Sequence, residues 1–337
     1  IIDMRLSTNY MGLELKNPLV PSASPMTEKL DQIKILEDNG ASAVVLFSLF
    51  EEQIEQEDSS IEHFMEYGTD SYAESLSFFP QAHEYLSGPA DYLENVRKIK
   101  EGVDIPIIAS LNGATPGGWM QYAKKLQDAG ADGLELNIHY LPVDFNESSA
   151  DVEKRYTDIV SWVKSNVDIP VAVKIGSRFS SLPAMAKALE GVGADALVMF
   201  NRFYHPDIDL VKLETKRQIH LSHSRDIRLP MRWISILRGN VNLNFAASGG
   251  VHSAKDVLKL VMSGADVTML TSALMAYGPE LIKTIEADLI TWMDENEYQS
   301  ISQMKGSMSL IHSPKPQTLV RDNYMRTLLD FQANNKF

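Results

Sequence analysis

The chain has 337 residues, 44% hydrophobic and 23% charged, the mix of a globular protein with room for one α/β barrel. Its 45 acidic against 31 basic residues give a net charge of −14, which argues against nucleic-acid binding because an acidic surface supplies no counterion release. There is no cysteine, which excludes disulfides, cysteine-ligated zinc, an iron–sulfur cluster held by this chain, and a cysteine nucleophile or base. The opening twenty residues carry charges and no long apolar run, so neither a signal peptide nor a membrane anchor is expected, and the cytoplasm is the default location. Asn146-Glu147-Ser148 matches a glycosylation pattern that we read as chance.

In chain order, residues 4–15 alternate as a hairpin that would close a barrel floor. Strands are expected near 18–24, 43–50, 106–111, 133–139, 170–176, 196–202, 244–248 and 266–271. Helices are expected between them, among them 28–39, 90–103, 117–129, 152–166, 181–191, 253–263 and 279–295. One unit recurs: "LEDNGASAVVLF" (36–47), "LQDAGADGLELN" (126–137), "LEGVGADALVMF" (189–200) and "LVMSGADVTML" (260–270). Each is a helix end, a glycine at the C′ position, a small-residue turn and an apolar strand. Helices alternating with short apolar strands imply parallel βα units, and eight of them make a (β/α)8 TIM barrel. An open doubly wound sheet is the alternative, but no Gly-x-Gly-x-x-Gly follows the first strand. We expect one domain, 1–337, with the barrel over 18–297 and a C-terminal extension over 298–337. The long connections 51–89 and 203–228, after strands 2 and 6, are read as functional lids without regular structure.

Barrel enzymes work at the C-terminal ends of their strands. Strand 1 ends in Ser22-Ala23-Ser24, small enough for a flat ligand to approach the backbone. Strand 3 brings Ser110 and Asn112 to the rim, and strand 4 puts Glu135, Asn137 and His139 on one face. Lys174 sits in an otherwise apolar strand 5, where an ammonium is costly to bury without a polar or anionic partner. Strand 6 ends in Asn201-Arg202. Gly249-Gly250 before a helix, with Thr271-Ser272 on the next strand, forms a candidate phosphate cradle, because backbone N–H groups and the helix dipole favour an anion. The phosphate site, the lysine and the amide side chains suit flavin mononucleotide (FMN). A phosphosugar aldolase or isomerase with Lys174 as Schiff-base nucleophile is the alternative. The eight histidines do not cluster at metal-ligand spacing, so no metal is expected. The Met and Tyr residues of "QMKGSM" and "DNYMRTL" near the C-terminus are read as packing.

The chain resembles the dihydroorotate dehydrogenase family from about residue 4 to about 308. "LELKNPLVPSAS" is similar to its opening hairpin and first strand, "ELNIHYLP" to its strand-4 phrase, Lys174 to its strand-5 lysine, and Leu221-Ser222 to its "LSG" turn. The stretch 249–274 resembles its phosphate-binding motif. The resemblance implies hydride transfer from dihydroorotate to FMN in pyrimidine synthesis, while a base takes a proton from the substrate. It implies FMN contacts at Ala23, Ser24, Ser48, Asn112, Asn137, Lys174, Asn201, Ser222, Gly249, Gly250, Thr271 and Ser272. Electrons would leave through a soluble acceptor or a separate redox subunit, with no membrane contact, and family members of this kind are often homodimers.

Several positions depart from the family pattern. Tyr140 stands at the Cys or Ser base, Phe47 at a lysine, His223 at the glycine after "LS", Leu141-Pro142 at a Pro-Asn pair, and Thr271 at the glycine before the phosphate-binding threonine. We therefore take His139 or Tyr140 as the replacement base, His139 ahead. Histidine titrates at about 6.5 as a residue type and tyrosine at about 10. Phe47 and Tyr140 leave two alternatives open: an FMN oxidoreductase acting on another cyclic or unsaturated compound, or a catalytically silent flavin-binding barrel.

Overall fold

The structure is a computed structural model that describes residues 4–56 and 88–334. Alternation in 4–15 becomes a hairpin, β1 (Thr8–Tyr10) paired antiparallel with β2 (Leu13–Leu15) and turned at Met11 and Gly12. Tyr10, Met11 and Leu15 plug the barrel from below, packed with Val20, Val45, Ile108, Ala172, Val198 and Val267.

The staves are β3 (Leu19–Pro21), β4 (Val44–Val45) continued by β5 (Leu49–Phe50), β6 (Ile107–Gly113), β7 (Gly133–Ile138), β8 (Val171–Ile175) and β9 (Ala196–Met199). After a surface hairpin, β10 (Asp207–Asp209) and β11 (Glu214–Lys216), come β12 (Asn244–Ser248) and β13 (Val267–Leu270). The pairing is parallel throughout, in the order β3-β13-β12-β9-β8-β7-β6-β4, with β5 also on β6. Ser42 closes the ring by donating its N–H and its hydroxyl to Leu19 O, at 3.1 and 3.0 Å. This is the (β/α)8 barrel that the repeats imply.

Helices surround it: α1 (Leu30–Asp38), α2 (Pro89–Gly102), α3 (Tyr122–Asp128), α4 (Ser149–Lys164), α5 (Leu182–Gly191), α6 (Arg228–Leu237), α7 (Ala254–Ser263), α8 (Ser272–Tyr277) and α9 (Leu281–Glu295). None of the described helices is long and apolar enough to cross a membrane. The glycines of the recurring unit, Gly40, Gly130, Gly193 and Gly264, all adopt positive φ, which lets the chain leave each helix and enter the next strand.

The aspartate of the "GAD" phrase has a role that the sequence did not disclose. Asp132, Asp195 and Asp266 each accept, at 2.8 Å, an N–H from the first or second residue of the preceding stave, Ile107, Val171 and Phe245. Each also meets a basic side chain: Lys100, Lys164, and Arg238 with Lys305. A short carboxylate at this turn satisfies strand N–H groups that the sheet leaves open at the barrel floor.

Three expectations need correction. The 203–228 connection is not irregular: alternating residues 207–216 pair as β10 and β11, and a 3-10 turn, Ser224–Ile227, leads into α6. Of the 51–89 connection, 57–87 lie outside the described residues, and 51–56 are helical. In the C-terminal extension Met304 is buried in the core, but Met308 is exposed, as are Tyr324 and Met325 on α11 (Asp322–Asn334), which follows the short α10 (Ile301–Met304). No residue of α11 is buried, because its apolar side chains find no barrel face to cover.

Candidate active site

At the C-terminal ends of the staves lies a cavity of about 610 Å³, within the range of small-molecule sites. Every candidate FMN contact named from the sequence lines it: Ala23 and Ser24 after β3, Ser48 before β5, Asn112, Asn137, Lys174 and Asn201 from the central staves, Ser222 from the loop before α6, and Gly249, Gly250, Thr271 and Ser272 from the last two. His139 also lines it. Tyr140 does not.

Gly250 at the phosphate end has φ +84, and a Cβ there would stand 2.7 Å from Ile227 N and 2.8 Å from His223 O. Only glycine fits. Gly249, at φ +97, would meet nothing within 4 Å, so its bare Cα opens onto free space. Ser222 ties the corner together: its hydroxyl accepts from Gly250 N at 3.1 Å, and its N–H donates to Ser272 Oγ at 3.0 Å. This corrects one detail, since the Gly250 N–H is engaged by Ser222 rather than free for an anion.

In the centre, Lys174 stands level with Asn137, which is level with Asn112. Lys174 is 8% exposed, and its Nζ lies 3.4 Å from Glu135 Oε1, so it points into the barrel mouth and not outward between helices. Asn137 is 9% exposed, with its Oδ1 buried and without a partner. A buried amide oxygen left unpaired costs about 1–3 kcal/mol unless a ligand donates to it. Glu135 Oε2 is likewise unpaired. The donor set therefore fits a flat polar heterocycle with a phosphate tail: a positive charge, an unpaired amide and two rows of small residues. Ser110 is the exception among the rim expectations, fully buried and bonded to Ser48 Oγ at 2.8 Å below the cavity.

On the substrate side, His139 stacks on Phe203, ring centroids 4.2 Å apart at 28°. Tyr140 turns the other way. Its hydroxyl donates to Glu147 Oε2 at 2.6 Å, while Arg155 bonds Glu147 Oε1 at 2.9 Å and lies 4.2 Å over the tyrosine ring. The Glu147 hydrogen bond is the main reason the Tyr140 phenol is pushed above its usual value, and that same bond, with Arg155, holds Glu147 below the usual carboxylate range. A phenol made less acidic and bonded outside the cavity is poorly placed as a base.

Sequence reasoning missed Glu51. It lines the cavity, is 7% exposed, and accepts from Ala114 N at 2.8 Å and from the Thr115 hydroxyl, pinning the loop after β6. Its position just past the strand-2 phrase "LFSLF" was the available signal. Phe47, Tyr204 and His220 also line the mouth. Among the described residues no group of three or more His, Asp or Glu is placed to hold a metal.

The match to known sequences rests on the same elements. A model of the family described as dihydroorotate dehydrogenase matches residues 5–293, hairpin through α9. The chain belongs to the dihydroorotate dehydrogenase family. Its relatives include the catalytic subunit of dihydroorotate dehydrogenase B (NAD(+)) from Thermoplasma acidophilum, 27% identical over 307 residues, covering 89% of this chain and 98% of that one. The corresponding subunit from Anoxybacillus flavithermus is 27% identical over 312 residues, 90% and 95% of the two chains. A putative dihydroorotate dehydrogenase A (fumarate) from Aeropyrum pernix is 28% identical over 214 residues, 61% and 68%. The chain is thus an oxidoreductase of the dihydroorotate dehydrogenase type, a flavin-dependent family.

Proposed function

We propose that this protein binds FMN in the barrel-mouth cavity and oxidises dihydroorotate to orotate in pyrimidine synthesis. The observation that carries the reading is that Lys174 and the unpartnered Asn137 Oδ1 stand in one layer of the mouth, beside the Gly250–Ser222–Ser272 corner. FMN, when bound, supplies the two-electron acceptor. The rest falls to the chain. Gly249 would leave room for the phosphate, Lys174 would supply a positive charge to offset the negative charge gained on reduction, and the unpartnered Asn137 Oδ1 would accept a hydrogen bond from the ring. His139, held by Phe203, takes the proton from the substrate carbon beside the carbonyl. Tyr140 has a different task, bracing the loop through Glu147 and Arg155.

Electrons then pass to a separate partner subunit. The names of the Thermoplasma and Anoxybacillus relatives, catalytic subunits of an NAD(+) enzyme, support this, as does the lack of cysteine for any cluster of the chain's own. A second reading rests on Phe47: an apolar ring at the mouth suits a less polar cyclic or unsaturated substrate than dihydroorotate. The deciding experiment is the visible spectrum of the purified protein before and after anaerobic dihydroorotate. Bleaching of a flavin band supports dihydroorotate as substrate. A flavin band that persists rejects it and leaves the second reading, and a protein that takes up no FMN rejects both.

A further inference from the structure

The barrel interior carries one acidic group that neither the phosphate corner nor the proton-transfer side uses. Glu135 is 1% exposed, on β7, one layer below Asn137 and Lys174 in the register of the sheet. Its Oε1 faces Lys174 Nζ at 3.4 Å, and its Oε2 has no partner. Below it the Tyr10 hydroxyl, rising from the floor hairpin, is also buried and unpartnered. Burial first, and then the Glu135 charge, keep that phenol protonated, so it offers no countercharge of its own. A carboxylate in this position is expensive unless its charge is compensated. Lys174 is the compensation, and the debt runs both ways: the lysine's positive charge is partly cancelled before it reaches the cofactor.

We propose that Glu135 is a positioning residue that sets the reduction potential of the bound flavin by neutralising and orienting Lys174. The inference rests on the FMN reading above. With the carboxylate present, the layer beneath the cofactor is a nearly neutral ion pair. Without it, an uncompensated ammonium faces the edge where negative charge accumulates, and the two-electron-reduced form is stabilised. The carboxylate thereby keeps the potential low, which favours passing electrons onward to an acceptor such as a nicotinamide.

The test is the flavin midpoint potential of the holoprotein and of Glu135→Gln, read against a reference dye, together with the FMN dissociation constant. The expected result is a shift of about tenfold in the two-electron equilibrium toward the reduced form, a rise of roughly 30 mV. Glu135→Asp, with its charge retained on a shorter arm, should shift less. If Glu135→Gln fails to fold, Glu135→Met removes the charge without leaving an amide unpaired in the barrel and should give the same rise. A holoprotein whose potential is unchanged on loss of the carboxylate overturns the inference while leaving the FMN reading standing. Wild-type protein that binds no FMN overturns both.

Discussion

The two ends of the cavity are built differently. At the phosphate end the protein's groups are bonded to one another: Ser222 to Gly250 and Ser272, Ser224 and Ser253 to Asp256. At the centre and on the substrate side, buried groups lack partners or turn away, with Asn137 Oδ1 unpaired, His139 on an aromatic ring and Tyr140 facing Glu147. The first end is pre-formed and leaves little for a ligand to reorganise. The second depends on what binds. A family can keep most of the first, His223 and Thr271 aside, while the second diverges, because a phosphate corner is specified by backbone geometry and a substrate pocket by a few replaceable side chains.

The largest effect should come at the centre. Lys174→Met leaves Glu135 buried and unpaired, and should cost on the order of 3–5 kcal/mol, read as the free energy of denaturant unfolding. A loss under about 1 kcal/mol would mean that the pair is not desolvated as described. On the substrate side, His139→Asn should slow flavin reduction by about 10²–10⁴-fold, whereas Tyr140→Phe should stay within about tenfold. Equal losses in the two variants would sink the assignment of the base. At the phosphate end, Gly250→Ala forces a Cβ against Ile227 N and should cost roughly 1–3 kcal/mol along with FMN affinity. Gly249→Ala, with open space around it, should cost about 1 kcal/mol in stability through its positive φ, yet weaken FMN by crowding the phosphate. If the two glycine variants behave alike, the corner is not divided as the geometry indicates.

The smallest effect is a pH dependence. Because Glu147 is held below the usual carboxylate range, the unfolded chain takes up its proton first as pH falls. The stability it contributes is complete above the ordinary glutamate value of about 4.3 and is lost as pH drops through the lower folded value. Tyr140, pushed up, contributes stability present below about 10 and lost above it, as pH rises through the folded value. Glu147→Gln should lower the melting temperature at neutral pH and so flatten the acid limb of the profile, because the amide stays neutral at every pH as the glutamate does only in acid. An unaltered acid limb would rule out the latch.

Much of this was legible in the sequence because it is local. The period-two strands, the helix-terminal glycines at 40, 130, 193 and 264, and the placement of Asn137, Lys174 and Gly249-Gly250 at strand ends each depend on a few neighbouring residues. The structure alone decided where side chains spend their hydrogen bonds. Glu51 reaches a loop 63 residues away, Gly250 N–H finds Ser222 28 residues back, and Tyr140 leaves the cavity for a glutamate seven residues on. Sequence periodicity fixes which face a residue occupies, but its partner is chosen by the closure of the barrel. Closure brings β7 beside β8 and makes Glu135 and Lys174, 39 residues apart, a single buried pair.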